Sequence, residues 1–81
     1  MDQLIHSPKS LGYAIQRQRK IKKLTQHQAG EPFGLDQTTV SSIEQGVGGT
    51  RLETLFRMLA AVGLEMIMRP KTPGGKNKEG W

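Results

Sequence analysis

Start and stop signals recur so closely along this chain that no single element can be long. Ser7-Pro8, Thr25, Asp36 and Thr50 each open a segment, while Gly34, Gly46 and Gly63 fall where segments end. A serine, threonine or aspartate oxygen accepts one of the orphan N–H groups at a helix start, and a proline in the first turn gives up a donor that has no partner there. Glycine enters the left-handed conformation that turns a helix off without steric cost. The spacing therefore predicts helices over residues 8 to about 23, from 26 onward, 37 to about 45, and about 51 to 62, joined by short loops.

Apolar residues recur at helical intervals within these segments: Leu11, Ala14, Ile15 and Ile21 in the first, Val40 and Ile43 in the third, and Leu52, Leu55, Phe56, Leu59 and Ala60 in the fourth. Tyr13 and Phe33 read as core or near-core residues. The second segment carries a conflict, because Gly30 and Pro32 both lie within it. Proline lacks the N–H that would bond the carbonyl of Gln28 and its ring crowds that turn, so this helix should end or kink near Glu31. Gly34 then ends the segment and Leu35 buries the turn.

After Gly63 the period changes from helical to two. Leu64, Met66 and Met68 alternate with Glu65, Ile67 and Arg69, the pattern of a strand. No second strand is apparent, so the expected partner is the same segment of another copy, antiparallel across a two-fold axis, with Leu64, Met66, Ile67 and Met68 making the dimer. Residues 1–69 thus read as one domain and residues 70–81 as a flexible tail of proline, glycine, lysine and asparagine. Trp81 at its end is a candidate anchor on a partner protein, because tryptophan offers a large contact area with few rotatable bonds.

A chain of 81 residues buries a limited share of its surface, and with no cysteine it has neither a disulfide nor a thiolate metal site to supplement the core. The net charge is +5, and Arg17, Arg19, Lys20, Lys22 and Lys23 crowd into one stretch. Polyanions are the natural partner, since each cation near a phosphate releases a condensed counterion. The absence of a long apolar run or a charged-then-apolar leader makes cytoplasmic localisation without membrane insertion the expectation. Catalysis is not expected: His6 and His27 are isolated, the carboxylates are unpaired for acid-base or metal chemistry, and Gly48-Gly49-Thr50 lacks the lysine of a phosphate-binding loop. No cofactor is implied. RNA is a poorer fit than duplex DNA because no aromatic platform is available for stacking bases.

The segment from Thr25 to Gly46 has the layout of a helix-turn-helix, a short helix and a tight turn followed by a helix with a polar front. Such a second helix fits the major groove and reads bases from its first turns. Gln37, Thr38, Thr39 and Ser42 are the candidate base readers; a carboxamide matches both N6 and N7 of adenine, and a threonine methyl can face that of thymine. Gln26, at the start of the preceding helix, is assigned to a phosphate, as are Arg17, Lys20, Lys22, Lys23 and Arg51.

Leu11-Gly12, Ile15, Arg19 and Leu24-Thr25-Gln26, followed by Val40-Ser41-Ser42-Ile43-Glu44-Gln45-Gly46 and Leu52-Glu53-Thr54-Leu55, resemble the phage-repressor or Cro-type helix-turn-helix family. That resemblance implies a mainly α, compact bundle of four or five helices, dimeric on a pseudo-palindromic operator, with Arg19 and Glu44 as a structural ion pair. Two departures are Ala29-Gly30, where the family carries Leu-Ala, and Pro32 in place of a helix former. The final strand and a tail ending in tryptophan are most similar to HipB-type antitoxins. This likeness implies autorepression in the bacterial cytoplasm, at the nucleoid, and a complex with a HipA-like kinase toxin in which Trp81 takes part. A stand-alone repressor, or an antitoxin of another toxin family, shares the same residues.

Overall fold

Each predicted cap but one is made. In the computed structural model, which describes residues 3–71, the chain forms α1 (Pro8–Ile21), α2 (Gln26–Gly30), a single 3₁₀ turn (Glu31–Phe33), α3 (Gln37–Glu44) and α4 (Leu52–Val62). Ser7 Oγ accepts the Ser10 N–H at 3.1 Å, and Ser10 Oγ accepts the Ser7 N–H at 3.1 Å in return. Thr25 and Gln28 make the same reciprocal exchange at 3.0 and 2.9 Å. Asp36 Oδ1 takes the Thr39 N–H at 2.8 Å. The exception is Thr50, which lies one residue too early: α4 starts at Leu52 behind Arg51, with no side chain capping it.

The helix ends share one device. A residue of positive φ donates its N–H three residues back, and the next residue donates five back, which satisfies carbonyls the helix has left open. Gly34, Gly46 and Gly63 have φ of 73, 77 and 76°, and Lys23 joins them at 59°. The paired bonds run from Lys23 and Leu24 to the carbonyls of Lys20 and Arg19 at 2.9 and 3.1 Å, and from Gly34 and Leu35 to those of Glu31 and Gly30 at 3.1 and 3.0 Å. Gly46 and Val47, then Gly63 and Leu64, repeat the pattern at 2.9 to 3.1 Å. The left-handed turn at Lys23 is why α1 stops at Ile21 instead of continuing to Lys23. Each turn also swings an apolar residue round the corner: Leu35 is buried and Leu24 and Leu64 pack against the core, whereas Val47 stays exposed.

Ile15, Ala29, Leu35, Val40, Ile43, Met58, Leu59 and Val62 form the core, flanked by Leu11 and Leu55. Its outline corrects several expectations. Tyr13 is 56% exposed and Phe33 39%, since α1 turns Gly12, Ile15 and Arg19 inward and the 3₁₀ turn buries none of its residues. On α4 the buried face consists of Met58, Leu59 and Val62; Leu52, Phe56 and Ala60, spaced four apart on the adjacent face, remain exposed. Ile21 is exposed as well. The expected strand is not formed: among the described residues none is in a strand, because residues 64–69 have no second edge to pair with in a single chain. Met66, Ile67 and Met68 are exposed, and only Leu64 of that run is turned to the core.

Each of the two departures at α2 has its place in the fold. A Cβ on Gly30 would lie 2.5 Å from the Leu35 carbonyl oxygen and 2.9 Å from Cγ2 of Val40, so the turn and α3 approach where only glycine fits. Pro32 sits in the tight turn that follows, after α2 has already ended. Gly12 plays the same part between α1 and α3, where a Cβ would strike the carbonyl oxygens of Ile43 and Glu44. Gly30→Ala should therefore lower stability by about 1–3 kcal/mol despite alanine's better helix propensity, read as a lower urea midpoint at unchanged slope.

Candidate nucleic-acid interface

The exposed front of α3 is built by exclusion. Val40, Ile43 and Glu44 turn inward, so Gln37 and Thr38 are left exposed and Thr39, Ser41 and Ser42 half-buried along the outer side. Thr38, Thr39 and Ser42 line a shallow concavity together with Gly48, Gly49, Thr50 and Arg51 from the loop that leads into α4. The structure thus brings Arg51 beside three of the four candidate base readers. Arg51 and the hydroxyl-bearing Thr38, Thr39, Ser42 and Thr50 share one space before α4, an arrangement suited to a phosphate flanking the groove.

Gln37, the fourth, is held from behind. Its Nε2 donates to Gln26 Oε1 at 3.3 Å, and Gln26 Nε2 donates to Glu44 Oε1 at 3.2 Å. Glu44 is gripped by Arg19 through two bonds, Nε to Oε2 at 2.6 Å and Nη2 to Oε1 at 2.9 Å, while Arg19 Nη1 donates to the Leu24 carbonyl at 2.8 Å. Both members are buried, with 8% and 7% of their surface exposed. The hydrogen bond to Glu44 raises the pKa of Arg19 and outweighs its desolvation. No buried side-chain nitrogen or oxygen among the described residues is without a partner. The ion pair that the family resemblance implied is therefore present, and it reaches the front of α3 through Gln26. The sequence assigns Gln26 to a phosphate alone; its second role depends on a contact 18 residues away and has no sequence signal.

Arg17, Lys20 and Lys23 are exposed on and beyond α1. Lys22 is exposed too, and its Nζ lies 3.3 Å from where a Cβ on Gly63, after the last turn of α4, would stand. His27–Glu31 at 3.5 Å and Arg57–Glu53 at 3.3 Å are exposed pairs of little energetic consequence. The described residues contain no cluster of three or more metal-ligating groups and no helix long and apolar enough to cross a membrane. Trp81 and the rest of residues 72–81 lie outside the described residues.

With two helices at a tight turn, the second carrying the polar front, the comparison with known proteins is direct: a helix-turn-helix family model matches residues 15–67. The chain belongs to the helix-turn-helix family. Among solved structures, a HipB variant in a complex with an O2 20mer superposes with a TM-score of 0.82 at 29% identity, over 89% of this chain and 100% of that one. A chain of the HipA-HipB-O2-O3 complex gives 0.81 at 30% identity, over 88% and 100%. The restriction-modification controller protein C.AhdI from Aeromonas hydrophila, at 24% identity and a TM-score of 0.65 over 72% of this chain and 84% of that one, shares the fold alone. No curated protein matches the chain in sequence. The fold is that of a HipB-like helix-turn-helix DNA-binding protein.

Replacing Arg19 or Glu44 singly by alanine strands a buried charge and should cost about 3–5 kcal/mol, whereas Arg19→Met with Glu44→Leu should recover most of that loss in thermal unfolding. Asp36, whose pKa is lowered by the hydrogen bond from the Thr39 backbone, gives a pH signature. A depressed carboxylate stabilises the fold above its unfolded pKa of about 4 and loses that contribution as pH falls through the lower folded value. The stability difference between wild type and Asp36→Asn should accordingly be constant near neutrality and shift only in that acid window.

Proposed function

We propose that this chain is an antitoxin of a type II toxin-antitoxin system: a homodimer that binds double-stranded operator DNA, represses its own operon and holds a HipA-like kinase toxin. The observation that carries the reading is the front of α3, where a glutamine secured from behind stands beside two threonines and a serine in a HipB-like frame. Gln37, Thr38, Thr39 and Ser42 read base edges in the major groove. Arg51 and the start of α4 take one phosphate, Gln26 at the start of α2 another, and Arg17, Lys20 and Lys23 supply longer-range attraction. Lys22, exposed beside the end of α4, is assigned to the phosphates with them.

The dimer is proposed to form through Met66, Ile67 and Met68, with Leu64 anchoring the segment to its own core. Pairing two such segments antiparallel would satisfy their open backbone groups and cover apolar side chains. The exposed strip of Leu52, Phe56 and Ala60 extends the same apolar character along α4. Toxin binding is assigned to surface outside the DNA face, with Trp81 as its anchor. The likeness to a chain solved in a HipA-HipB-O2-O3 complex supports it.

Purification of tagged protein from host lysate, followed by sequencing of the bound DNA and mass spectrometry of bound protein, tests the reading. Recovery of the chain's own promoter with a kinase-like protein in stoichiometric amount is expected, and DNA without a protein partner would leave a stand-alone repressor. On the recovered operator, Gln37→Ala should cost about 1–3 kcal/mol at one base pair of each half-site, whereas Lys20→Ala should weaken operator and random DNA alike and reduce the salt slope by about 1. Equal losses on both DNAs for Gln37→Ala would remove its base-reading role.

A further inference from the structure

We infer that Asp36, beyond capping α3, is a charge filter at the DNA face: it opposes the phosphate backbone of any duplex and is compensated on the operator by accepting a cytosine amino group. The inference rests on the reading of α3 as the helix in the major groove. A chain of net charge +5 gains affinity for all DNA from each cation, and phosphate attraction carries no sequence information. A carboxylate placed where the protein meets DNA works in the other direction.

Asp36 is such a group. It immediately precedes Gln37 and is exposed. Its Oδ1 accepts the Thr39 N–H at 2.8 Å, which pins the carboxylate to the N-terminal end of α3, the end whose side chains reach base edges. Its charge is also uncompensated. Among the described residues Glu31, Glu44 and Glu53 pair with His27, Arg19 and Arg57, whereas Asp36 enters no ion pair. The backbone and side chain of Thr39 lower its pKa by hydrogen bonding, with no cation contributing, so it stays ionised at neutral pH. Helix capping does not ask for that charge, since asparagine and serine cap about as well as aspartate.

An ionised carboxylate has only acceptors, with room for further donors beside those of Thr39. In the major groove, guanine presents acceptors at N7 and O6 and thymine one at O4, so each meets the carboxylate with like polarity. Cytosine presents the N4 amino group, a donor without an acceptor beside it, and is the base a carboxylate matches best. On the operator that hydrogen bond offsets the repulsion from the backbone. On any other sequence the repulsion stands alone, so Asp36 gives up general affinity and widens the gap between operator and random DNA.

Asp36→Asn and Asp36→Ser test the filter, because each keeps a capping oxygen and removes the charge; thermal unfolding checks that both are folded. Affinities for the operator and for a random duplex would be measured at one fixed salt concentration, and binding sites selected from a randomised duplex pool, for wild type, both variants and Gln37→Ala. Wild type should enrich cytosine at one position of each half-site, separate from the position that Gln37→Ala erases. Both Asp36 variants should bind random DNA severalfold tighter and lower the cytosine preference by roughly tenfold, so that the operator-over-random ratio falls. An unchanged cytosine preference, or a gain of equal proportion on both DNAs, would overturn the filter while leaving Gln37 as a reader. Selection unaltered in all three variants would overturn the reading of α3 along with it.

Discussion

The contact between α1 and α3 decides where everything else in this domain can stand. Two features make it. Gly12 lets the backbone of α1 approach the carbonyls of Ile43 and Glu44 at a separation that no side chain would permit. Arg19, two turns further along, then reaches Glu44 and the Leu24 carbonyl together, tying the end of α3 to the turn that leads into α2. A bidentate pair tolerates little change in relative position or angle. The front of α3, the start of α2 and the turn between them are therefore placed by one buried interaction at the back of the motif.

That placement would mean little if the helices frayed, and short helices in a small domain are marginal on propensity alone. The chain answers at the ends instead of the middles. Three starts are capped by side chains, and the stops of α1, the 3₁₀ turn, α3 and α4 are closed by a left-handed residue with paired backbone bonds. Lys23 is the one closure made without glycine, at a cost of about 1–2 kcal/mol for a side chain in that conformation. Nothing in the structure explains lysine at this position.

Much of this was legible because caps and glycines act locally. Ser7, Thr25, Asp36, Gly34, Gly46 and Gly63 do in the structure what their chemistry suggests in the sequence, and the early end of α2 follows from Pro32. Long-range choices were less visible. Apolar periodicity marks α4 as amphipathic but does not say which of two adjacent apolar faces meets the core, so Leu52 and Phe56 were expected inside while Met58 and Val62 are the residues buried. Gly30 weakens α2 on propensity alone, and only the nearby Leu35 carbonyl explains why no larger residue fits. At the site, the polar front of α3 was readable from composition, but the link from Gln26 to Glu44 spans 18 residues and has no periodic signature.

The two apolar faces of α4 also bear on why so small a chain would be a useful regulator. Among the described residues its core holds eight buried apolar side chains, while Leu52, Phe56, Met66, Ile67 and Met68 stay exposed. A second copy seated on that surface would add apolar burial at about 25 cal/mol per Å² without lengthening the chain. Folding, dimerisation and DNA binding would then be linked by mass action, since a partner that binds only the native state stabilises it in proportion to its concentration. Two reading helices held at a fixed separation in such a dimer would also double the phosphates engaged, which would steepen the dependence of binding on both salt and protein concentration. The surface that the single chain leaves uncovered is thus the place where stability and regulation would meet.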